Sequence, residues 1–174
     1  MDGPQAGPTD AFARLAALNP LNTAALAERK AALSAGERAF VLLRPAVVKG
    51  ALVSEICLRF KTAGLTLVAM KMMKPGADLA KKHYTRPSRK TSELAELVGD
   101  LSPGPAVAMV WHGTGAIATL LAMAGDADPL KALPGSVRGD LSVADCPDQL
   151  IEVAADAAEV SRLADVWFEP DELR

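Results

Sequence analysis

The segment Pro134-Gly135-Ser136-Val137-Arg138-Gly139-Asp140 and the run Gln149-Leu150-Ile151-Glu152-Val153-Ala154-Ala155-Asp156 behind it decide the fold and frame the function of this chain. Arg138 is placed to hold the loop that the first segment forms. In the second, Glu152 is an acidic side chain among aliphatic neighbours, a position where its charge has to be accounted for.

Working outward, 174 residues suit one compact domain plus an extension. Half the residues are hydrophobic but only seven are aromatic (Phe 4, Trp 2, Tyr 1), so the core rests on Leu, Val, Ile and Met. With 19 basic against 21 acidic residues the net charge is −2, which removes any global electrostatic argument for nucleic acid or an anionic membrane. Cys57 and Cys146 form neither a metal-ligand nor a redox spacing. The N-terminal residues read as neither a secretory signal nor a transit peptide. No run approaches the roughly 18 apolar residues that a membrane span needs.

Ahead of the deciding segment, Ala39-Phe40-Val41-Leu42-Leu43 is a short continuous apolar run ended by Pro45, as a central strand should be. Leu52, Val53, Ile56 and Phe60 then share one helical face, with Glu55, Arg59 and Lys61 opposite and Gly64 as the stop. A second strand follows over residues 65–72. Near the N-terminus, Asp10 and Thr23 open two short helices, the second with Leu26 and Leu33 on one side. Periodicity by itself gives an α+β protein of one domain.

Residues 134–140 are similar to the P-G-T-I-R-G-D motif of the nucleoside diphosphate kinase family. Residues 149–156 stand in the place of its N-x-x-H-G-S-D-S run, whose histidine accepts the γ-phosphate. The resemblance extends to Glu37-Arg38-Ala39, Leu43-Arg44-Pro45-Ala46, Gly64-Leu65, Lys71, His83-Tyr84, Asp128-Pro129 and the stretch 104–111, which is like S-G-P-V-V-A-M-V-W. It implies a ferredoxin-like antiparallel sheet with covering helices on one side. The expected organisation is a helical extension over 1–36, the kinase-like domain over 37–168 and a surface tail over 169–174.

The resemblance also places residues. Glu152 takes the nucleophile's position, Arg44 that of a lysine and Gln149 that of an asparagine. Ala46, Leu121, Ala127, Ala154 and Ala155 replace polar family residues, and no phenylalanine for stacking on a base lies between Phe60 and Phe168. Arg44, Tyr84, Arg138 and Gln149 remain as vestigial nucleotide contacts, while His83 is structural in the family and His112 lies away from the nucleophile. The expectation is a catalytically inactive, kinase-like structural or interaction subunit of a larger assembly, with a ciliary or axonemal setting as the finer guess. No cofactor is expected beyond weak binding of nucleoside triphosphate with Mg²⁺. Two alternatives accompany it: a regulatory nucleotide-binding module, and a residual or altered phosphotransferase that uses Glu152 to carry an acyl phosphate.

Interaction candidates are Leu26 and Leu33, the basic run Lys81, Lys82, Arg86, Arg89 and Lys90, and Leu130 and Leu133. The last two lie in a loop that matches the trimer-contact loop of hexameric family members. Expected partners are proteins, a second copy among them. Nucleic acid is disfavoured, because the basic run offers only Tyr84 for stacking. The expected location is the cytoplasm, with cilium or cytoskeleton as the finer setting.

Overall fold

The run 39–43 lies within β1 (Glu37–Leu43), whose last five residues are buried without exception. The computed structural model describes residues 36–86, 91–128, 131–141 and 150–173, and β1 is the second strand from one edge of its sheet. Its partners are β3 (Ala106–Gly113) on one side and the short β4 (Ile151–Val153) on the other, both antiparallel. The strand β2 (Thr66–Met73) pairs with β3 at the far edge, giving the order β2-β3-β1-β4. β3 is buried along almost its whole length, whereas β2 mixes buried and exposed positions and shifts register between Leu67 and Ala69, as edge strands commonly do.

Pro45 ends β1 and opens α1 (Pro45–Lys49), where its missing N–H costs nothing. The next helix, α2 (Val53–Thr62), buries Ile56 and Phe60. Phe60 meets Trp111 edge to face at 5.4 Å, and Trp111 is paired with Ala39 across the ladder. Successive strand residues point to opposite faces, so the neighbouring pair Phe40 and Val110 faces away from α2. On that side Phe40 lies 6.2 Å from the His83 ring of α3 (Ala77–Tyr84). Helices therefore cover both faces of the sheet, not one. The cause is in the strands: β1 and β3 carry apolar residues at odd and even positions alike, so neither face could be left to water.

Beyond β2 the chain continues through α4 (Thr91–Leu101), α5 (Ala116–Ala124), α6 (Val137–Leu141) and α7 (Ala157–Trp167). Asp156 caps α7 by accepting from the Glu159 N–H at 2.8 Å, and the Glu159 carboxylate accepts from the Ala155 N–H at 3.0 Å. Val160, Leu163, Ala164 and Trp167 form its buried stripe.

Two glycines allow the loop before α6 to close. A Cβ at Gly139 would stand 2.2 Å from the Leu133 carbonyl oxygen, and one at Gly125, where φ is +84°, would meet Ser136 Oγ at 2.4 Å. Asp140 ties the loop down, accepting from the Gly135 N–H at 2.8 Å and from Arg59 at 2.7 Å. The closed loop fixes Arg138 under β4.

The compact unit that carries the sheet spans residues 35–174. The two helices expected near the N-terminus, with Leu26 and Leu33, fall outside the described residues. Phe168, the residue before the tail expected at the surface, is buried. Lys71 binds both Glu172 (2.5 Å) and the Trp167 carbonyl (3.1 Å), and Arg38 donates to the Leu173 carbonyl at 3.0 Å. Among the described residues no helix is long and apolar enough to cross a membrane.

Candidate active site

β4 is only three residues long, and its central residue is Glu152. Its pairing with Leu42 and the helices packed on that edge surround this carboxylate with donors. The Tyr84 hydroxyl donates to Oε1 at 2.5 Å, and His83 Nε2 lies 3.1 Å from Oε2. A guanidinium nitrogen of Arg44, at the junction of β1 and α1, stands 3.7 Å from Oε1. Arg44 and His83 are each 4% exposed, while the Glu152 side chain keeps 22% of its surface open. An anion is thus held at the bottom of a cradle that solvent still reaches.

The electrostatics favour an ionised carboxylate. Burial pushes the Glu152 carboxyl up, but the hydrogen bonds from His83 and Tyr84, together with the Arg44 charge, outweigh it and hold the group below the ordinary glutamate range. Tyr84 shifts the other way: burial first, then the Glu152 charge, raises its phenol far above the usual value, so it remains a protonated donor.

Arg138 works from beneath. Its two terminal nitrogens donate to the Gly125 carbonyl at 2.5 Å and to the Ile151 carbonyl at 2.6 Å, so it fixes the residue before Glu152, while its Nε has no partner among the described residues. Burial lowers its pKa, against the opposing charges of Glu152 and Asp126. Arg44 has a second carboxylate at 3.7 Å, that of Asp100 on α4, which is 61% exposed.

Of the expected nucleotide contacts, Arg44, Tyr84 and Arg138 converge on Glu152, and Gln149 lies outside the described residues. Sequence reasoning assigned His83 a structural place, yet its ring touches the carboxylate directly. The available signal was its position beside Tyr84. Trp167 and Asp100 were missed, since each reaches the site from an element remote in sequence.

The interaction candidates divide differently. Lys81 and Lys82 are exposed on α3, whereas Arg86 pairs with Glu159 of α7. Leu133 is 76% exposed, and Leu121, at the position where the family resemblance expects an arginine, is 41% exposed. Arg89, Lys90 and Leu130 lie outside the described residues. Among the described residues no group of three His, Cys, Asp or Glu side chains is placed to hold a metal.

The family model described as "Nucleoside diphosphate kinase" matches residues 37–173. A nucleoside diphosphate kinase from Cyanothece sp. is 40% identical over 138 residues, 79% of this chain and 91% of that protein. The cytosolic one from Dictyostelium discoideum is 36% identical over 137 residues, 79% of this chain and 87% of that protein. A chloroplastic relative from Spinacia oleracea is 38% identical over 149 residues, 85% of this chain but 62% of its own length. Among solved structures, a transition-state mimic of the Borrelia burgdorferi nucleoside diphosphate kinase with bound vanadate and ADP superposes with a TM-score of 0.74 at 26% identity. It covers 80% of this chain and 90% of that one.

These relatives overturn the expectation of an inactive structural subunit in a ciliary or axonemal assembly. Proteins named for the kinase activity match most of the chain, and their names point to an enzyme. The physical error behind that expectation is visible in the site. Replacements at Ala46, Leu121, Ala127, Gln149, Ala154 and Ala155 were counted as a lost shell, but Glu152 draws a shell from α3 and from the end of β1.

Proposed function

Given that the chain belongs to the nucleoside diphosphate kinase family, we propose that it transfers a phosphoryl group from a nucleoside triphosphate to a nucleoside diphosphate, with Glu152 as the group that receives it. The observation that carries this reading is the partly open carboxylate held by two donors at 2.5 and 3.1 Å beside the Arg44 guanidinium. Such an arrangement can bind phosphate on the cation and present an oxygen to it.

In the first half-reaction a lone pair of Glu152 Oε1 forms a bond to the γ-phosphorus. The bond from that phosphorus to the β–γ bridging oxygen breaks, and its electrons leave with the nucleoside diphosphate. The second half-reaction reverses this: a terminal oxygen of another diphosphate attacks the phosphorus, and the carboxylate leaves with the electron pair. No net proton is taken up in either step. Arg44 draws in and neutralises the phosphate, Tyr84 orients Oε1, and Arg138 keeps Glu152 in place through the Ile151 carbonyl. A magnesium ion would arrive on the substrate's own phosphates. Self-association through the loop that bears Leu133 and a cytoplasmic setting, as in the name of the Dictyostelium relative, belong to the same proposal.

The test is conversion of GDP to GTP at the expense of ATP by the purified chain and by Glu152→Gln. Turnover by the first and a loss of at least a hundredfold in the second are expected, in line with removal of a covalent catalyst. Equal rates would refute the assignment of Glu152.

A further inference from the structure

The proposed reaction leaves one buried polar side chain at the site without a task. We infer, on the strength of that reading, that His83 is a positioning residue whose Nε2–H holds one oxygen of Glu152 and eases departure of the carboxylate in the second half-reaction.

The tautomer follows from the partners. Trp167 Nε1 lies 3.0 Å from His83 Nδ1, and an indole nitrogen can only donate. Nδ1 therefore holds a lone pair, and the ring proton sits on Nε2, 3.1 Å from Glu152 Oε2. The ring cannot readily turn over. It packs edge to face on Tyr84 at 4.6 Å and on Trp167 at 5.8 Å, and its side chain is 3% exposed. The backbone is held too, because Arg162 of α7 donates to the carbonyls of Lys82 and His83 at 3.0 and 3.1 Å.

The consequence is an asymmetric carboxylate. Oε2 is turned toward the buried ring, while Oε1 lies beside Arg44, where a phosphate would be drawn. A donor to a carboxylate strengthens as negative charge returns to it, so the His83 bond favours the step in which Glu152 leaves phosphorus. Among the described residues, the other charged or titratable groups around the pair are Arg44, Tyr84, Asp100 beyond Arg44, Arg138 below β4, and Arg162 at the His83 carbonyl.

Two variants of the whole chain separate positioning from packing. His83→Asn retains an acceptor for Trp167 but cannot reach Glu152, and His83→Gln restores an N–H at the distance of Nε2. With ¹³C-carboxyl-labelled glutamate, assigned through Glu152→Gln, the Glu152 titration should move up by about one unit in His83→Asn and return in His83→Gln. At a fixed ATP to ADP ratio, the ratio of acyl phosphate to free enzyme should rise about tenfold in His83→Asn and stay near the parent value in His83→Gln. If the asparagine chain does not fold, His83→Leu carries the same readouts. An unmoved Glu152 titration, with acyl phosphate still formed, overturns the role of His83 alone. Absence of acyl phosphate from the parent chain overturns the phosphoryl-transfer reading instead, and is recognised by hydroxylamine treatment before any variant is compared.

Discussion

Replacing Tyr84 with phenylalanine keeps the buried ring and removes only the hydroxyl that donates to Glu152 Oε1 at 2.5 Å. A hydrogen bond to a charged group contributes about 1.5–3 kcal/mol, against about 0.5–1.5 kcal/mol between neutral groups. Losing it should raise the Glu152 pKa by about 1–2 units. The native carboxyl lies below its unfolded value, so its contribution to stability is complete above about pH 4.3 and is lost as pH falls through the native value. In Tyr84→Phe that contribution is smaller from the start. The penalty of the substitution should therefore be about 1.5–3 kcal/mol near pH 7 and should shrink by about 1 kcal/mol or more as pH falls through the native Glu152 pKa, below which the carboxyl is protonated with or without the Tyr84 hydroxyl. The depressed carboxyls of Asp140 and Glu172 cancel in the comparison, because neither touches Tyr84. Urea unfolding of both chains across that range measures it. A penalty that does not change with pH would refute the reasoning.

Three further outcomes are expected. Asp100→Asn releases Arg44 from its exposed competitor at 3.7 Å. Because the Asp100 side is open to solvent, the pair contributes at most about 1 kcal/mol, so the KM for nucleotide should fall about two- to fivefold with little change in kcat, read from initial rates. Arg138→Met strips the Gly125 and Ile151 carbonyls of their donor, and should cost about 2–4 kcal/mol in urea unfolding at neutral pH. Gly139→Ala drives a Cβ to 2.2 Å from the Leu133 carbonyl oxygen, and should lower stability by about 2–3 kcal/mol in thermal unfolding.

The parts of the fold that local pattern controls were legible in the chain. The continuous apolar run 39–43 was read as a central strand and lies in β1, while the stretch 104–111, singled out by the family resemblance, overlaps the other central strand, β3. Phe60 was placed on the buried face of its helix and is buried there. The run 39–43 also implied that both faces of the sheet needed cover, a consequence the family resemblance obscured by suggesting helices on one side.

The site was legible only in part. Glu152, Arg44, Tyr84 and Arg138 could be named because each sits within a recognisable motif. His83 was named too, but its contact with Glu152 spans 69 residues and its bond to Trp167 spans 84, separations over which spacing carries no information. Asp100 was invisible for the same reason, since its link to Arg44 joins α4 to the end of β1. The inference of inactivity failed at this point. It counted positions along the whole chain where polar family residues are replaced, from Ala46 to Ala155, whereas the groups that stabilise the charge of Glu152 are set by nearness in space.

The most direct test of the account is to mix the purified chain with γ-³²P-labelled ATP, quench it, and locate the label. The account predicts phosphate on Glu152 that is released by hydroxylamine and passed to added GDP. Label on His83, label resistant to hydroxylamine, or no label at all would contradict it.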